Sequence, residues 1–596
     1  MQFSLFFLLL GISTIAITVT ESTRSSADPV AATSYGRVRG YTITAQNGEG
    51  VNIFKAIPFA APPIGDLRWR LPQPPQPWTD IRNATKYSAA CMSNSTITTS
   101  PQTEVSEDCL YLNVFAGAMC TPESTCDVIV YYHGGGFNFD SAVMFDETFI
   151  ADIFPAEKFV IVIPAFRLGF TGSILFEDSD DIVPRNLGMR DVVASLKWVQ
   201  AEIGAFGGDK NRVTIFGHSY GGSIVIFLAM SPGITKHGEP KLFHRVMSMS
   251  PENRIEDPKK HLKKAKEFVA MANCTRPTTQ ETVDCMRKVD GYELLAYQRK
   301  LEEKSDRLET FAVRDDCPDN EKTRTTSKAK FIQRTPMLLG TSVGEQDSVK
   351  ANLTDIGVVI GLKNTAELDQ IYNLLKKQGK IVSRHKMESQ SIYLSVYANA
   401  AAMTAAGENC YLYSFDQPTH NKHTDHLSYI MGVHRRFVQS AAFVMGIHDY
   451  DEVVSIAYNT DENEQEIAKL YPAIFRSFAA TGVPAPDFTP LNKSDAYYSI
   501  KVDKKKNRWP EMKLHYEKAT IDFWIRKAPR LDAIISAAKA TEHGKQRFSL
   551  DTEKLLYDFE LDETLPIDSY IFHLLLQFAI IILVACVFLA GVLCGM

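Results

Sequence analysis

Apolar positions recur along this chain in two rhythms. Runs at residues 128–132, 159–163, 213–216 and 245–249 have the length and apolar character of buried strands. Between them, "RDVVASLKWVQAEI" sets Val192, Leu196, Val199 and Ile203 on one helical face. Strands alternating with helices predict an α/β chain: a central, mostly parallel, doubly wound sheet flanked by helices. Residues 30–70 mix strand-like runs with the Pro-rich turn "PFAAPPIGDLRW". No internal repeat of roughly 20 to 50 residues is present. Past Trp524 the chain becomes charged as far as Asp568, which reads as a stalk over 528–568 behind a globular domain at 28–527.

Two apolar runs stand outside these rhythms. "MQFSLFFLLLGISTIAITVT" reads as a secretory signal peptide over 1–20, although its start lacks a positive charge. The other run, 571–596, is interrupted only by His573 and Gln577. From Leu574 onward it would form a helix of about 35 Å, enough to cross a bilayer core of about 30 Å. It reads as a C-terminal transmembrane helix or, alternatively, as a GPI signal, which wants a polar spacer that Asp568-Ser569 does not supply. Both ends place the chain on the secretory route, membrane-anchored, with its domain lumenal or extracellular.

Composition agrees with that route. The chain has 596 residues and a net charge of −6, so nothing global points to nucleic acid. The lysines at 259, 260, 263, 264 and 266, and Lys504-Lys505-Lys506, read as solvated faces. Cys586 and Cys594 lie in the apolar tail and read as filler. The other cysteines are Cys91, Cys109, Cys120, Cys126, Cys274, Cys285, Cys317 and Cys410, an even set that implies disulfides without giving the pairing. Sequons at Asn83, Asn94, Asn273, Asn352 and Asn492 are candidate glycosylation sites.

The chemistry is concentrated in two stretches. In "FGGDKNRVTIFGHSYGGSIVIFLAM" a strand-like run ends in Gly217-His218-Ser219-Tyr220-Gly221 and a second apolar run follows. A hydroxyl is a poor nucleophile unless it is exposed and held beside a base. A tight strand-to-helix turn meets the first need by lifting Ser219 above the sheet, and G-x-S-x-G is that pattern. Upstream, "VIVYYHGGGFNF" ends a strand in a glycine run. Acyl transfer passes through an oxyanion stabilised by pre-aimed N–H groups. Gly135, Gly136 and Tyr220 are the expected donors.

With these in place the chain resembles the type B carboxylesterase/cholinesterase family of the α/β-hydrolase fold. The resemblance is carried by "IPFAAPPIGDLRW", "SEDCLYLNVF", "HGGGF", "FRLG", "NLGMRDVVASLKWVQAEIGAFGGD" and "VTIFGHSYGG", and it spans most of residues 30–525. It implies disulfides Cys91–Cys109 and Cys274–Cys285, leaving Cys120–Cys126 and Cys317–Cys410 as weak pairs. It also implies a homodimer through helices near the end of the domain.

The resemblance implies an acid and a base in the order Ser, Glu, His. "TPMLLGTSVGEQD" supplies Glu345, with Asp347 as runner-up, and "HTDHLSYIMG" supplies His423, with His420 and His426 as alternatives. The family carries an acid where His426 stands, a Glu where His218 stands, and a small residue where Tyr220 stands. Tyr220 is therefore expected to face the floor of the acyl pocket, where its bulk would narrow the pocket or alter helix packing. No metal or organic cofactor is expected, since no C-x-x-C or H-E-x-x-H motif appears.

Cholinesterases bind a quaternary ammonium on an aromatic residue in the first disulfide loop. The loop here, "MSNSTITTSPQTEVSED", has none. The reading is therefore a serine carboxylesterase for neutral small-molecule esters, working through an acyl-enzyme on Ser219. A triglyceride lipase has no feature of its own in the chain. The alternative is a catalytically silent, cholinesterase-like surface adhesion protein; an intact serine, acid and base set argues against it.

Overall fold

The computed structural model describes residues 28–93, 104–176, 181–231, 240–251, 258–304, 334–347, 356–383, 385, 387–418, 421–432 and 461–541. The apolar runs 1–20 and 571–596, His420, Cys317, Asn94 and Asn352 lie outside them. Among the described residues, no helix is long and apolar enough to cross a membrane.

One large sheet organises the chain. Its strands are β1 (Tyr41–Thr44), β2 (Gly50–Pro58), β3 (Tyr111–Gly117), β4 (Cys126–Tyr132), β5 (Phe159–Pro164), β6 (Gly208–His218), β7 (Arg245–Met249), β8 (Met337–Ser342), β9 (Cys410–Phe415), β10 (Tyr497–Ile500) and β11 (Glu511–Lys513). Their spatial order is β11-β10-β9-β8-β7-β6-β4-β5-β3-β2-β1. The run from β5 through β10 is parallel. The flanking pairs, from β5–β3 to β2–β1 on one side and β10–β11 on the other, are antiparallel. The expected parallel sheet is thus the centre of a mixed one.

The central strands are mainly apolar past their first residues because both faces are covered there, as parallel strands require. Every residue of β5 and of β8 is buried. Helix α1 (Leu187–Glu202) buries Val192, Leu196 and Val199 completely, the face that the spacing indicated. Helix α2 (Tyr220–Met230) is apolar on all sides and packs on β6 and β7. Helix α3 (Thr365–Lys377) lies further out; α4 (Met387–Ala405) covers β8 and β9, and α5 (Glu462–Thr481) packs on β4 and β6. A satellite core of Trp69, Phe170, Phe268, Val283 and Leu294 gathers the helices Pro258–Met271, Thr279–Met286 and Gly291–Glu303.

Two expectations are corrected. The stalk does not begin at 528. Helix α6 (Ala528–Thr541) packs against α3 and buries Ala528, Leu531 and Ile535. Asp532 Oδ1 also accepts the backbone N–H groups of Lys363 and Asn364. The apolar positions of α6 are spaced for a helix, and Lys539 adds an ion pair to Glu367 of α3. The weak pair Cys317–Cys410 is not formed either: Cys410 is a buried free thiol on β9. Cys91–Cys109, Cys274–Cys285 and Cys120–Cys126 are bonded.

Candidate active site

The carboxyl ends of the central strands lie side by side, and each is followed by a polar segment. Gly134–Gly136 follows β4, Ser219 follows β6, Ser250 follows β7, Glu345 follows β8 and His423 follows β9. Open α/β sheets place their sites at this edge.

Ser219 sits at a strained turn with φ of 56° and ψ of −126°. A β-carbon at Gly217 would lie 2.1 Å from the Gly221 carbonyl oxygen, and one at Gly221 would lie 2.1 Å from the Tyr132 carbonyl oxygen. Both glycines are therefore required by space, because the elbow presses strand and helix backbones together. The Ser219 N–H donates to the Met249 carbonyl at 2.9 Å, which ties the elbow to β7.

His423 Nε2 lies 2.9 Å from Ser219 Oγ, and His423 Nδ1 lies 2.6 Å from Glu345 Oε2. A carboxylate accepts only, so the imidazole proton is on Nδ1 and Nε2 is free to accept from the serine. Glu345 is 1% exposed. Its Oε1 accepts from the Ser342 N–H at 2.7 Å and from Ser250 Oγ at 2.6 Å. The Glu345 carbonyl in turn accepts the His423 N–H at 3.0 Å. His218 Nε2 holds the His423 carbonyl at 2.7 Å.

The glycine run forms a tight turn beside the elbow. Gly135 and Gly136 have φ of 89° and 62°. The N–H groups of Asn138 and Phe139 both donate to the Gly135 carbonyl, and Asn138 Nδ2 donates to the Gly136 carbonyl at 2.7 Å. Both carbonyls are thereby engaged within the turn. Tyr220 opens α2 and is 1% exposed, with its ring edge-on to Phe137 at 6.1 Å. His133 stacks on Phe166, and burial pushes its imidazole down to about 4.

The two runners-up fall elsewhere. Asp347 accepts from His385 Nδ1 at 2.9 Å and Ser389 Oγ at 2.7 Å. His426 is fully buried behind the site, and burial together with His423 holds its imidazole well below the usual histidine range. Among the described residues no group of three or more His, Cys, Asp or Glu is arranged to hold a metal ion. A polar cavity of about 510 Å³ between Arg82, Asp108, Tyr111 and Tyr292 contains none of these residues.

The sequence reading missed Ser250 and two arginine–carboxylate pairs. Arg167 clamps Asp191 with Nε–Oδ2 and Nη2–Oδ1 bonds, both 2.7 Å, and Arg68 clamps Glu107 with two bonds of 2.6 Å. Their signal was available: Arg68, Glu107, Arg167 and Asp191 each lie inside a motif that carries the family resemblance.

A parallel-centred sheet with a strand–elbow–helix unit and a Ser–His–Glu run at its carboxyl edge defines an α/β-hydrolase. The profile of the carboxylesterase family matches residues 27–379, and the chain belongs to that family. Relatives include liver carboxylesterase of Sus scrofa, 35% identical over 306 residues, covering 49% of this chain and 52% of that protein. Another is "Fatty acyl-CoA hydrolase precursor, medium chain" of Anas platyrhynchos, 35% identical over 47% of this chain and 51% of its own length. These alignments thus span about half of each relative. Carboxylesterase 5A of Canis lupus familiaris is 28% identical over 85% of this chain and 91% of its own. Among solved structures, a PNB esterase matches with a TM-score of 0.65 at 23% identity, covering 84% of this chain and 100% of its own, a likeness of fold.

Proposed function

We propose that the protein is a serine carboxylesterase of the secretory route, anchored to the membrane by 571–596, that hydrolyses neutral carboxylic esters through an acyl-enzyme on Ser219. The observation that carries this reading is the unbroken hydrogen-bonded run from Ser219 Oγ through His423 to the buried Glu345. His423 Nε2 takes the serine proton as Oγ attacks the ester carbonyl carbon, and later gives it to the departing alcohol. Glu345 holds the ring and balances the imidazolium. The N–H groups of Gly135, Gly136 and Tyr220 are assigned to the oxyanion. Water, deprotonated by His423, then releases the acid and restores Ser219.

Exposed sequon residues Asn83, Asn273 and Asn492, with the three disulfides, favour an oxidising, glycosylating compartment. The test uses the full chain expressed in a secretory host, with p-nitrophenyl acetate and butyrate as substrates and an organophosphate label mapped by peptide analysis. Turnover with the label on Ser219 is expected. A folded, glycosylated chain with neither would overturn the reading in favour of an adhesive role. Phospholipase C treatment of intact cells separates the anchors: release marks a GPI anchor, retention a span.

A further inference from the structure

The run from Ser219 does not end at Glu345. Ser250 Oγ lies 2.6 Å from Glu345 Oε1 and 3.0 Å from His426 Nε2. The serine hydroxyl has one proton. An ionised carboxylate can only accept, so that proton belongs to Glu345, and His426 Nε2 must then carry its own proton and donate. His426 is 0% exposed. Its Nδ1 faces the Tyr471 hydroxyl at 3.5 Å, which lies 3.0 Å from that of Tyr413. Titratable groups face the ring from every side: His218 at the end of β6, Tyr413 on β9, Tyr471 on α5, Glu345 through Ser250, and His423. The ring also meets Phe415. A core-filling ring would need only these apolar contacts; the Nε2–Ser250 bond is extra.

We propose that His426 is a positioning residue: its neutral Nε2–H form donates to Ser250, commits the Ser250 proton to Glu345, and so keeps that carboxylate aimed at His423. Tautomer and donor direction follow from the proton count, and burial disfavours the charged ring. The kinetic consequence rests on the esterase reading above; the geometric one does not.

The test compares His426→Gln with His426→Asn in the full chain. The Gln amide nitrogen reaches the place of Nε2, whereas that of Asn stops near Nδ1. Both are polar and smaller than the imidazole, so both tolerate the site. With p-nitrophenyl acetate, His426→Asn should lower kcat about 10- to 100-fold, the scale of a misplaced catalytic group, with KM unchanged within about threefold. His426→Gln should stay within about threefold of wild type, and in a Ser250→Ala background His426→Asn should cost less than about twofold. The low-field proton resonance of the His423–Glu345 bond reports geometry without turnover; it should shift in His426→Asn and return in His426→Gln. Equal behaviour of Asn and Gln, a full Asn loss in the Ser250→Ala background, or an unmoved resonance would each overturn the proposal. A wild-type chain that lacks turnover yet shows the resonance pattern would sink the esterase reading and leave this one standing.

Discussion

Two sets of carboxylates withdrawn from solvent in this molecule have different partners. Asp191 and Glu107 each meet an arginine fork whose two bonds cover both carboxylate oxygens. Glu345, as buried as Asp191, meets a backbone N–H, a hydroxyl and an imidazole. A guanidinium is permanently charged and cannot exchange a proton at any relevant pH. An imidazole can, near neutrality. Withdrawal from solvent therefore yields a fixed brace in one place and a pair able to exchange a proton in the other. The Arg167–Asp191 brace lies close to the site: Arg167 adjoins Phe166, which stacks on His133 beside the glycine turn.

The contrast can be broken at several strengths. The largest effect is expected at the nucleophile: Ser219→Ala should lower kcat for p-nitrophenyl acetate at least about 10⁴-fold, with an unchanged thermal transition. Next, Glu345→Gln keeps the shape but removes the charge that favours imidazolium, and should lower kcat by about 10³- to 10⁴-fold. Stability measured in urea should stay near wild type, since no ion pair is lost.

The brace should respond the other way. Arg167→Met leaves Asp191 buried and uncompensated and should destabilise by about 3–5 kcal/mol. Adding Asp191→Leu should recover most of that. An Arg167→Met protein with wild-type urea midpoint would dissolve the distinction drawn here.

Acid sharpens the comparison further. His133 stays neutral in the folded chain down to about 4, whereas the unfolded chain takes that proton near 6.5. The unfolded state binds more protons in this window, so stability falls as pH drops from about 6.5 to 4, on the order of 2 kcal/mol between pH 7.5 and 5. His426 pushes in the same direction. Urea midpoints across that range measure it, and His133→Asn should flatten the slope. The smallest effect is local: Thr278 and Glu281 form a reciprocal cap on the helix Thr279–Met286, and Thr278→Ala should cost about 1 kcal/mol.

Much of this was legible in the chain. Period-4 spacing in α1 and the apolar runs of β4 to β7 marked the centre of the sheet, because burial on both faces leaves a direct imprint on residue type. Helix α6 was misread as stalk because its apolar stripe is narrow, three buried residues docking on α3, and a charged segment follows it. Cys120–Cys126 was only weakly paired because spacing carries little information about which sulfurs meet, and the bond is formed.

Residue types and their local order determined the elbow around Ser219, the glycine turn at 134–136 and the order Ser219, Glu345, His423, since each depends on neighbours a few positions away. The tertiary structure brought the distant partners together: His423 to Ser219 across 204 residues, with His426 buried behind, and Glu345 to that ring across 78, with Asp347 turned to His385. It alone brought Ser250 to the carboxylate. Those choices depend on where separate strands end in space, and strand ends are aligned by packing and ladder register, which no stretch of sequence carries by itself.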